Sequence, residues 1–349
     1  MNRNVERQIN NGGSQEARRP RLSVRDLRTQ FVSKDGIVPA VDGVSFDVYP
    51  GEILGIVGES GSGKSVMCLS IARLVPAPGG RIVSGEVYLD DTNLLGLSER
   101  EMREIRGRRI GFITQDPLAS LDPLFKIGSQ IGEALLAHKR AGQGDVRQRV
   151  VDLLRRVRIR VPERAYSLYP HEMSGGMRQR SVTALAVGCE PEVLIADEPT
   201  TALDATVQIQ VLEVLKRLQE EQDLSIIFVT HDISAIARIC SRVAVMYAGR
   251  IVEESDIVEL FERPLHPYTR GLMASVASVS HKPGRMVSIE GQPPDLKNLP
   301  PGCPFAPRCE YRRDECELTY PPMRTYDDRH RVACWAADEL LHEAPIGTV

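Results

Sequence analysis

The stretch EILGIVGESGSGKS, residues 52–65, combines a short apolar run with a glycine-rich turn. The run EILGIV is continuous rather than alternating, as expected for a strand that is buried on both faces of a sheet. The turn GESGSGKS fits the pattern G-x-x-x-x-G-K-[ST], and the apolar spacing after it predicts a helix over 65–74. A buried strand, a glycine turn and a helix in this order predict an α/β fold around the turn.

The glycine-rich turn has the chemistry of a phosphate-binding loop. Gly58, Gly61 and Gly63 let the chain turn tightly, so that backbone N–H groups come close to a phosphate chain. The helix that starts near Gly63 points the positive end of its dipole at the same place. Lys64 can then reach the β- and γ-phosphate oxygens, and Ser65 can ligate Mg²⁺.

Bulk properties set limits on the rest of the chain. Its 349 residues are long for one domain and predict one large domain with an appendage. A net charge of −3 gives no general attraction to nucleic acid, and no apolar run approaches the length of a membrane-spanning helix. Residues 1–21 are polar and lack the apolar core of a secretory signal. We therefore expect a disordered tail and a chain that stays in a reducing cytosol.

Periodicity along the chain predicts an α/β core with a parallel sheet and an antiparallel β subdomain. Alternation over residues 22–49 indicates antiparallel strands, and residues 76–85 are predicted to form a loop. Further strands are predicted at EVYLD, RIGFIT, EVLIAD, LSIIFVT and RVAVMYAG. Helices are predicted at IGEALLAHKR, VRQRVVDLLRRV, MRQRSVTALAVG and VQIQVLEVLKRLQEEQ.

These patterns divide the chain into four parts. The main domain is expected over 22–263 and contains a helical insert, or helical subdomain, at about 116–190. After Arg263 the sequence becomes Pro-rich, irregular and Cys-containing, which predicts a small C-terminal extension over 264–340 and a tail over 341–349.

An acidic pair supplies the second part of a hydrolytic site. In VLIADEP, residues 193–199, Asp197 ends a buried strand and can hold the Mg²⁺ shell. Glu198 follows directly and is placed to polarise a water molecule for attack on a γ-phosphate. Taken alone, such an acidic pair is equally well explained as two solvated carboxylates at the end of a strand. The phosphate-binding loop upstream favours the catalytic interpretation.

A second helix N-terminus suggests that the site is shared between subunits. In MSGGMRQR, residues 173–180, Ser174, Gly175 and Gly176 stand immediately before a predicted helix, which is again an arrangement suited to phosphate. One nucleotide needs one such phosphate-binding helix N-terminus. A second one is explained if it closes over a nucleotide that another subunit holds.

With these motifs in this order, the chain resembles ATP-binding-cassette (ABC) ATPases across roughly residues 22–263. The signature of that family commonly reads LSGGQ, and here Met173 and Met177 replace its first and last residues, while the central SGG is intact. The resemblance implies that Gln115 in ITQDP is the Q-loop residue, Asp204 in TALD lies in the D-loop, and His231 in VTHD contacts the γ-phosphate.

The resemblance also implies a full set of site residues. The catalytic residues are expected to be Glu198, His231 and Gln115, and the Mg²⁺ ligands Ser65, Gln115 and Asp197. The partner subunit's ATP is expected to meet Ser174, Gly175 and Gly176. ATP is expected to contact Phe31, Gly58, Ser60, Gly61, Ser62, Gly63, Lys64, Ser65 and Val66. Phe31 is assigned to the adenine ring, but it is equally well explained as an ordinary strand residue.

Three local stretches narrow the resemblance to one branch. QDPLASLDPLF, HEMSGGMRQR and HPYTRGL resemble the oligopeptide/dipeptide/nickel importers, and CPFAPRC resembles the extension of their D-type ATPase subunit. That branch implies two integral membrane permease subunits, an extracytoplasmic substrate-binding protein and a second, related ATPase, with no nucleic acid. It implies ATP-driven peptide uptake at the cytoplasmic face of the membrane, with the chain bound peripherally. Import of nickel or another small solute, a regulatory soluble ATPase and an iron–sulfur sensor with a vestigial cassette are the alternatives.

The branch also directs attention to the Q-loop. Leu118, Leu121, Leu124 and Phe125 follow Gln115 and are expected either to receive a helix of the membrane subunit or to pack the insert's own core.

Four cysteines lie in the predicted extension. Cys303, Cys309, Cys316 and Cys334 follow the spacing C-x5-C-x6-C-x17-C in a region with little core-forming periodicity, so a covalent or metal staple is expected. A disulfide is disfavoured in a reducing compartment, and the close pairs typical of structural zinc are absent. Four thiolates can hold a [4Fe–4S] cluster, which the resemblance also implies; zinc and no metal stay open. Three further cysteines are expected to be buried packing residues: Cys68, Cys189 and Cys240.

Overall fold

The computed structural model describes residues 19–34, 36–201, 203–281, 289–327 and 329–343. Most of the two predicted tails, 1–21 and 341–349, therefore lies outside the described residues.

The described strands form two sheets. In chain order they are β1 (Leu22–Ser33), β2 (Gly36–Val48), β3 (Ile53–Val57), β4 (Gly80–Leu89), β5 (Thr92–Asn93), β6 (Ile110–Ile113), β7 (Val193–Asp197), β8 (Ser225–Thr230), β9 (Arg242–Tyr247), β10 (Arg250–Asp256), β11 (Arg324–Thr325) and β12 (Arg331–Val332).

The smaller sheet is antiparallel and has the order β2-β1-β4-β5. The predicted loop at 76–85 is wrong over its second half, because β4 begins at Gly80. Gly80 pairs with Phe31 and Ile82 pairs with Thr29, so β1 offers a ladder of backbone partners to this segment. The Pro- and Gly-rich composition signalled a loop locally, and the long-range pairing overrides that signal.

The larger sheet has the order β11-β12-β10-β9-β3-β8-β7-β6. Its five strands from β9 to β6 are parallel, whereas β10, β12 and β11 add to one edge in antiparallel register. All residues of β3, β7 and β8 are buried. This confirms the prediction that continuous apolar runs form strands covered on both faces.

The described helices flank this sheet. In chain order they are α1 (Lys64–Ile71), α2 (Glu99–Ile105), α3 (Pro117–Ser120), α4 (Ile127–Ala137), α5 (Val146–Arg156), α6 (Pro162–Ala165), α7 (Gly175–Val187), α8 (Ala205–Gln222), α9 (Ile233–Ile239), α10 (Ile257–Glu262), α11 (Pro267–His281), α12 (Glu315–Leu318) and α13 (Ala337–Leu340). Between β6 and β7 the chain forms helices α3 to α7 and a 3₁₀ turn, as the helical spacing predicted.

Helix starts follow local capping chemistry. Ser98 accepts a hydrogen bond from the N–H of Glu101, whose side chain binds back to the N–H of Ser98, a capping box at the start of α2. Ser174 and Asp204 cap α7 and α8 through their side-chain oxygens. These caps fix where α7 and α8 begin, and both positions belong to the predicted ATP machinery.

Two apolar clusters hold the sheets and helices together. One lies between the two sheets and includes the α1 residues Met67, Cys68 and Ile71. The other lies on the opposite face of the large sheet, where α8 and the helices between β6 and β7 pack, and includes Cys189 and Cys240. Cys68, Cys189 and Cys240 are buried, as predicted.

A buried carboxylate ties the C-terminal segment to the large sheet. Glu253 on β10 is fully buried, and its two oxygens accept hydrogen bonds from the N–H groups of Leu265 (2.6 Å) and His266 (3.0 Å). His330, just before β12, lies with its Nε2 2.7 Å from the Oε1 of Glu253. These hydrogen bonds therefore join the segment after β10 to the large sheet, and they are buried away from water.

Glu253→Ala should lower the free energy of unfolding by about 3 kcal/mol, since removing one member of a buried hydrogen-bonded cluster leaves its partners unsatisfied. Urea denaturation followed by circular dichroism measures the change. Glu213→Ala is the control, because it removes an exposed carboxylate that pairs with Arg158 and should cost less than about 1 kcal/mol. Equal losses in the two variants would contradict the structural role of Glu253.

Candidate active site

The turn between β3 and α1 leaves no room for side chains at two glycines. Gly63 has φ 100°, in the left-handed region, and a Cβ there would also collide with the carbonyl oxygen of Ala40. A Cβ on Gly58 would collide with the carbonyl oxygen of Met246 on β9. Backbone groups of β2 and of β9 thus lie directly against the loop, and only glycine permits the tight turn that brings its N–H groups together.

Lys64 lies inside this loop. Its Nζ donates hydrogen bonds to the carbonyl oxygens of Gly58 (2.8 Å) and Glu59 (2.9 Å). The residue is 4% exposed, and burial lowers the pKa of Lys64, although Glu198 and Asp197 oppose that shift. The ammonium group is therefore held in place over the loop, where it can exchange carbonyl partners for phosphate oxygens.

Ser65 and Asp197 bring a hydroxyl and a carboxylate together from two separate elements. Ser65 Oγ at the start of α1 donates to Asp197 Oδ1 at the end of β7, at 3.0 Å. Burial raises the pKa of Asp197 to about 6, against the lowering effect of the Ser65 hydrogen bond. These are hard oxygen ligands of the kind that Mg²⁺ prefers, and a bound cation would favour the ionised carboxylate.

Glu198 is the point at which the predicted catalytic side chains meet. Its Oε2 accepts a hydrogen bond from Gln115 Nε2 at 3.3 Å and lies 3.3 Å from Nδ1 of His231. The side chain of Glu198 is 12% exposed, whereas His231 is 59% exposed at the end of β8. Two residues that are far apart in the sequence, Gln115 and His231, thus meet at one carboxylate oxygen of Glu198.

The backbone at Glu198 is unusual for a side-chain-bearing residue. Its φ is 47°, a left-handed conformation that costs free energy in any residue except glycine. The N–H of Glu198 donates to the carbonyl of Val229 on β8 at 2.9 Å, which holds the residue in this conformation. This turn at the end of β7 directs the carboxylate towards Gln115 and His231.

Two residues of the site were missed in the sequence. Thr201 Oγ1 donates to Oε2 of Glu198 at 2.8 Å, and its position three residues later could have suggested this contact. Tyr268 on α11 accepts a hydrogen bond from the N–H of Glu59 at 2.7 Å. No local pattern joins residues 59 and 268, so this contact follows only from the tertiary structure.

The signature residues stand apart from the phosphate-binding loop. Ser174 and Gly175 are exposed at the start of α7, while Gly176 is buried and a Cβ there would press on Val207 of α8. Asp204 accepts from the N–H of Val207 at 3.0 Å, so the signature and the D-loop are neighbours. Among the described residues, every hydrogen bond of 174–176 stays within the turn and α7.

The remaining predicted nucleotide contacts lie in the loop, in α1 and on β1. Ser60 and Gly61 are exposed at its tip, and the carbonyl of the buried Ser62 accepts from the N–H of Gly249 at 2.9 Å. Val66 packs against the core between the sheets. Phe31 is half-buried on β1 opposite Val38 and Gly80. Its role against adenine stays a prediction.

The four C-terminal cysteines line one small pocket, together with aromatic and proline side chains including Phe305, Tyr311 and Trp335. Burial raises the pKa values of Cys309 and Cys334 to about 11 and about 12, and the charges of the neighbouring thiols add to both shifts. The carbonyl of Cys316 accepts from the N–H of Cys303 at 2.7 Å. A Cβ on Gly302 would collide with that carbonyl, so this close approach requires glycine.

The spacing of these sulfurs bears on what they could hold. All four cysteines lie in the described part of the chain, and no three of their Sγ atoms are within 4.8 Å of one another. Tetrahedral zinc with Zn–S bonds of about 2.3 Å would bring its ligands closer than that. A cluster in which each thiolate binds a different iron holds its sulfurs farther apart, so the positions of the four thiols are compatible with such a cluster.

One further group of metal-binding residue types exists among the described residues: Glu259, Asp327 and His330. Glu259 already forms an ion pair with Arg263 at 2.6 Å, and His330 is bonded to Glu253. Their contacts explain the group as part of the polar junction between β10 and β12.

Comparisons with known proteins agree with this geometry. The family model "ABC transporter" matches residues 41–201, and the family model "Oligopeptide/dipeptide transporter, C-terminal region" matches residues 252–316.

Two relatives from Bacillus subtilis align over nearly the whole chain. The dipeptide transport ATP-binding protein DppD is 46% identical, over 93% of this chain and 96% of that protein. The oligopeptide transport ATP-binding protein OppD is 47% identical, over 93% of this chain and 90% of that protein.

Solved structures of cassettes are also similar. The dimeric structure of MJ0796, a bacterial ABC transporter cassette, superposes with a TM-score of 0.61 at 29% identity and covers 68% of this chain and 98% of that chain. The structure of cbiO1 from Clostridium perfringens gives a TM-score of 0.60 at 26% identity and covers 76% of this chain and 96% of that chain. With its phosphate-binding loop, its clustered Glu198 and these relatives, the chain belongs to the ABC transporter ATP-binding proteins of the oligopeptide/dipeptide family.

Proposed function

We propose that this chain hydrolyses ATP and that hydrolysis drives the uptake of small peptides through membrane subunits on separate chains. The observation that carries the ATPase assignment is the meeting of Gln115, His231 and Thr201 at the carboxylate of Glu198, together with the hydrogen-bonded pair of Ser65 and Asp197.

The residues divide the chemistry between them. The loop N–H groups and Lys64 bind the phosphate chain, and Mg²⁺ held by Ser65, Asp197 and Gln115 would neutralise charge on the β- and γ-phosphates. Glu198 orients the attacking water and accepts its proton, while His231 and Gln115 keep that carboxylate aimed at the γ-phosphate.

The peptide assignment rests on relatives rather than on a pocket in this chain. Proteins named for dipeptide and oligopeptide transport align along almost its full length, and the C-terminal family model carries the same description. An ATPase subunit does not bind the solute itself, so import of nickel or another small solute by the assembled transporter is the alternative that a transport assay decides.

A surface after the Q-loop suits a membrane partner. Leu121 is 2% exposed and packs the core, whereas Leu118, Leu124 and Phe125 are 51%, 78% and 56% exposed. Three exposed apolar side chains within eight residues form a surface that another protein is expected to cover. We assign it to the membrane subunits.

This assignment determines the assembly that we propose. No helix among the described residues is long and apolar enough to cross a membrane. The chain would bind peripherally, at the cytoplasmic face, to two permease subunits, with a second related ATPase beside it and an extracytoplasmic binding protein delivering the solute. Copurification with an integral membrane protein distinguishes this assembly from a soluble regulatory ATPase.

We further propose that Cys303, Cys309, Cys316 and Cys334 hold a [4Fe–4S] cluster. The four cysteines line one pocket, and their segment has few apolar residues of its own to hold it together. The cluster would supply covalent cross-links between residues 303 and 334, and we assign it a structural role.

Glu198→Gln should keep ATP binding and lower hydrolysis by about 10²-fold or more, because the phosphate and metal ligands remain while the proton acceptor is lost. Nucleotide binding, phosphate release and uptake of a labelled dipeptide are measured on the assembled transporter. Lys64→Ala should instead weaken binding itself. Phosphate release by Glu198→Gln at the rate of the unchanged protein would exclude Glu198 from this role.

Ser174→Arg should leave ATP binding to the same chain unchanged and lower hydrolysis by the assembled transporter by about 10²-fold, since the signature faces the partner's nucleotide. Ser98→Arg removes a comparable exposed helix cap away from the site and controls for lost capping. A monomer that hydrolyses ATP at full rate when diluted far below its assembly concentration would contradict a shared site.

Anaerobic purification should yield about four irons and four acid-labile sulfides per chain. Replacing Cys303 and Cys309 by Ser should abolish both and the visible absorption, whereas the buried Cys240→Ser should change neither. Stoichiometric zinc without iron would reject the cluster.

A further inference from the structure

The segment that carries the cysteines makes a direct contact with the phosphate-binding loop. Arg308, the residue before Cys309, reaches Glu59, the second residue of that loop. Its two terminal nitrogens donate to the two carboxylate oxygens of Glu59 at 2.8 and 3.0 Å, a bidentate pair. The Arg308 side chain is 5% exposed, so this pair is shielded from solvent in a way that surface ion pairs are not.

Arg308 is held in position from its own side. It donates to the carbonyl oxygens of Ile289 (3.2 Å) and Glu290 (2.9 Å) and to the hydroxyl of Tyr247 (3.3 Å). Its guanidinium carbon lies 5.8 Å from the centre of the Phe305 ring. Because these contacts fix the guanidinium, it can hold Glu59 in one place rather than follow it.

The carboxylate, the N–H and the carbonyl of Glu59 each form hydrogen bonds. Arg308 binds its carboxylate, Tyr268 accepts from its N–H at 2.7 Å, and Lys64 Nζ donates to its carbonyl at 2.9 Å. A continuous path of covalent and hydrogen bonds thus runs from Cys309 through Arg308 and Glu59 to Lys64, the predicted phosphate ligand.

The charge of Glu59 gives this path an energetic consequence. A carboxylate in a loop that must receive a polyphosphate opposes the incoming negative charge. The guanidinium of Arg308 pairs with that carboxylate and neutralises its charge. Without Arg308, the loop would carry an unpaired negative charge.

We infer that Arg308 is a positioning residue for the phosphate-binding loop, through which the Cys-rich segment sets the affinity of this chain for ATP. The inference rests on ATP binding at the site proposed above. A displacement of the backbone at Cys309 would also release Glu59. The extension would therefore affect ATP binding as well as its own stability. By linkage, ATP binding should in turn stabilise the segment around Cys309.

The test is a double-mutant cycle read out as the Kd for Mg·ATP. Arg308→Gln should weaken binding by about tenfold, within the usual range of coupling between sites. In a Glu59→Gln background the same change should cost less than about twofold, since no unpaired carboxylate is then left behind. Arg312→Gln is the matched control, because Arg312 lies in the same segment but pairs with the exposed Glu317.

Two measurements separate positioning from a general loss of structure. With Arg308→Gln, the KM for ATP should rise while kcat at saturating ATP stays within about twofold, and the iron content should stay unchanged. If Arg308→Gln does not fold, Arg308→Lys and Tyr268→Phe take its place in the test. Both variants alter a contact of Glu59 with a smaller change of side chain, and each should weaken ATP binding by a smaller factor.

The outcomes are distinct. Unchanged ATP affinity in Arg308→Gln would overturn the inference, and so would an equal loss in the Glu59→Gln background, because Arg308 would then act by another route. Failure of the unchanged protein to bind Mg·ATP, judged against Lys64→Ala, would overturn the proposed function instead.

Discussion

The sharp turn from a buried strand into a helix, which lets backbone N–H groups converge on a phosphate chain, is the constraint that organises the molecule. The turn after β3 is pressed by β9 at Gly58 and by β2 at Gly63, so both strands must lie where they do for the loop to keep its shape. Asp197 and Glu198 end β7, two strands away, and His231 follows β8 between them. Because parallel strands present their carboxyl ends at one edge, the loop and the acidic pair meet there without further adjustment.

The parts of this arrangement that depend on short-range chemistry could be predicted from the sequence. Continuous apolar runs indicated β3, β7 and β8, and the helical spacing indicated α5, α7 and α8. Glu198 was predicted from its place after a buried strand, and Gln115 and His231 from the resemblance; the structure brings Gln115 and His231 to one carboxylate oxygen of Glu198. Residues 80–85 were assigned to a loop because glycine and proline dominate the local signal. The backbone partners that make them a strand are some fifty residues away in β1.

The contacts that join the C-terminal segment to the cassette could not be predicted in this way. Glu253 is an ordinary glutamate in the sequence, and only the fold shows that two backbone N–H groups and His330 converge on it. Arg308 and Glu59 are 249 residues apart, and neither belongs to a periodic pattern. Ion pairs of this kind depend on tertiary geometry. A single sequence contains no local pattern that indicates which acidic side chain pairs with which basic one.

Strands β3, β6 and β7 of the first matched family region and β10, which leads into the second, belong to the same sheet, so the two regions share one sheet rather than meeting at a linker. β10 uses one edge for β9 and the other for β12, so residues 331–332 cover backbone groups that a shortened chain would expose. Uncovered strand edges are templates for pairing with other molecules. A chain that ends after β10 is therefore expected to expose this edge and to self-associate more readily than the whole chain does.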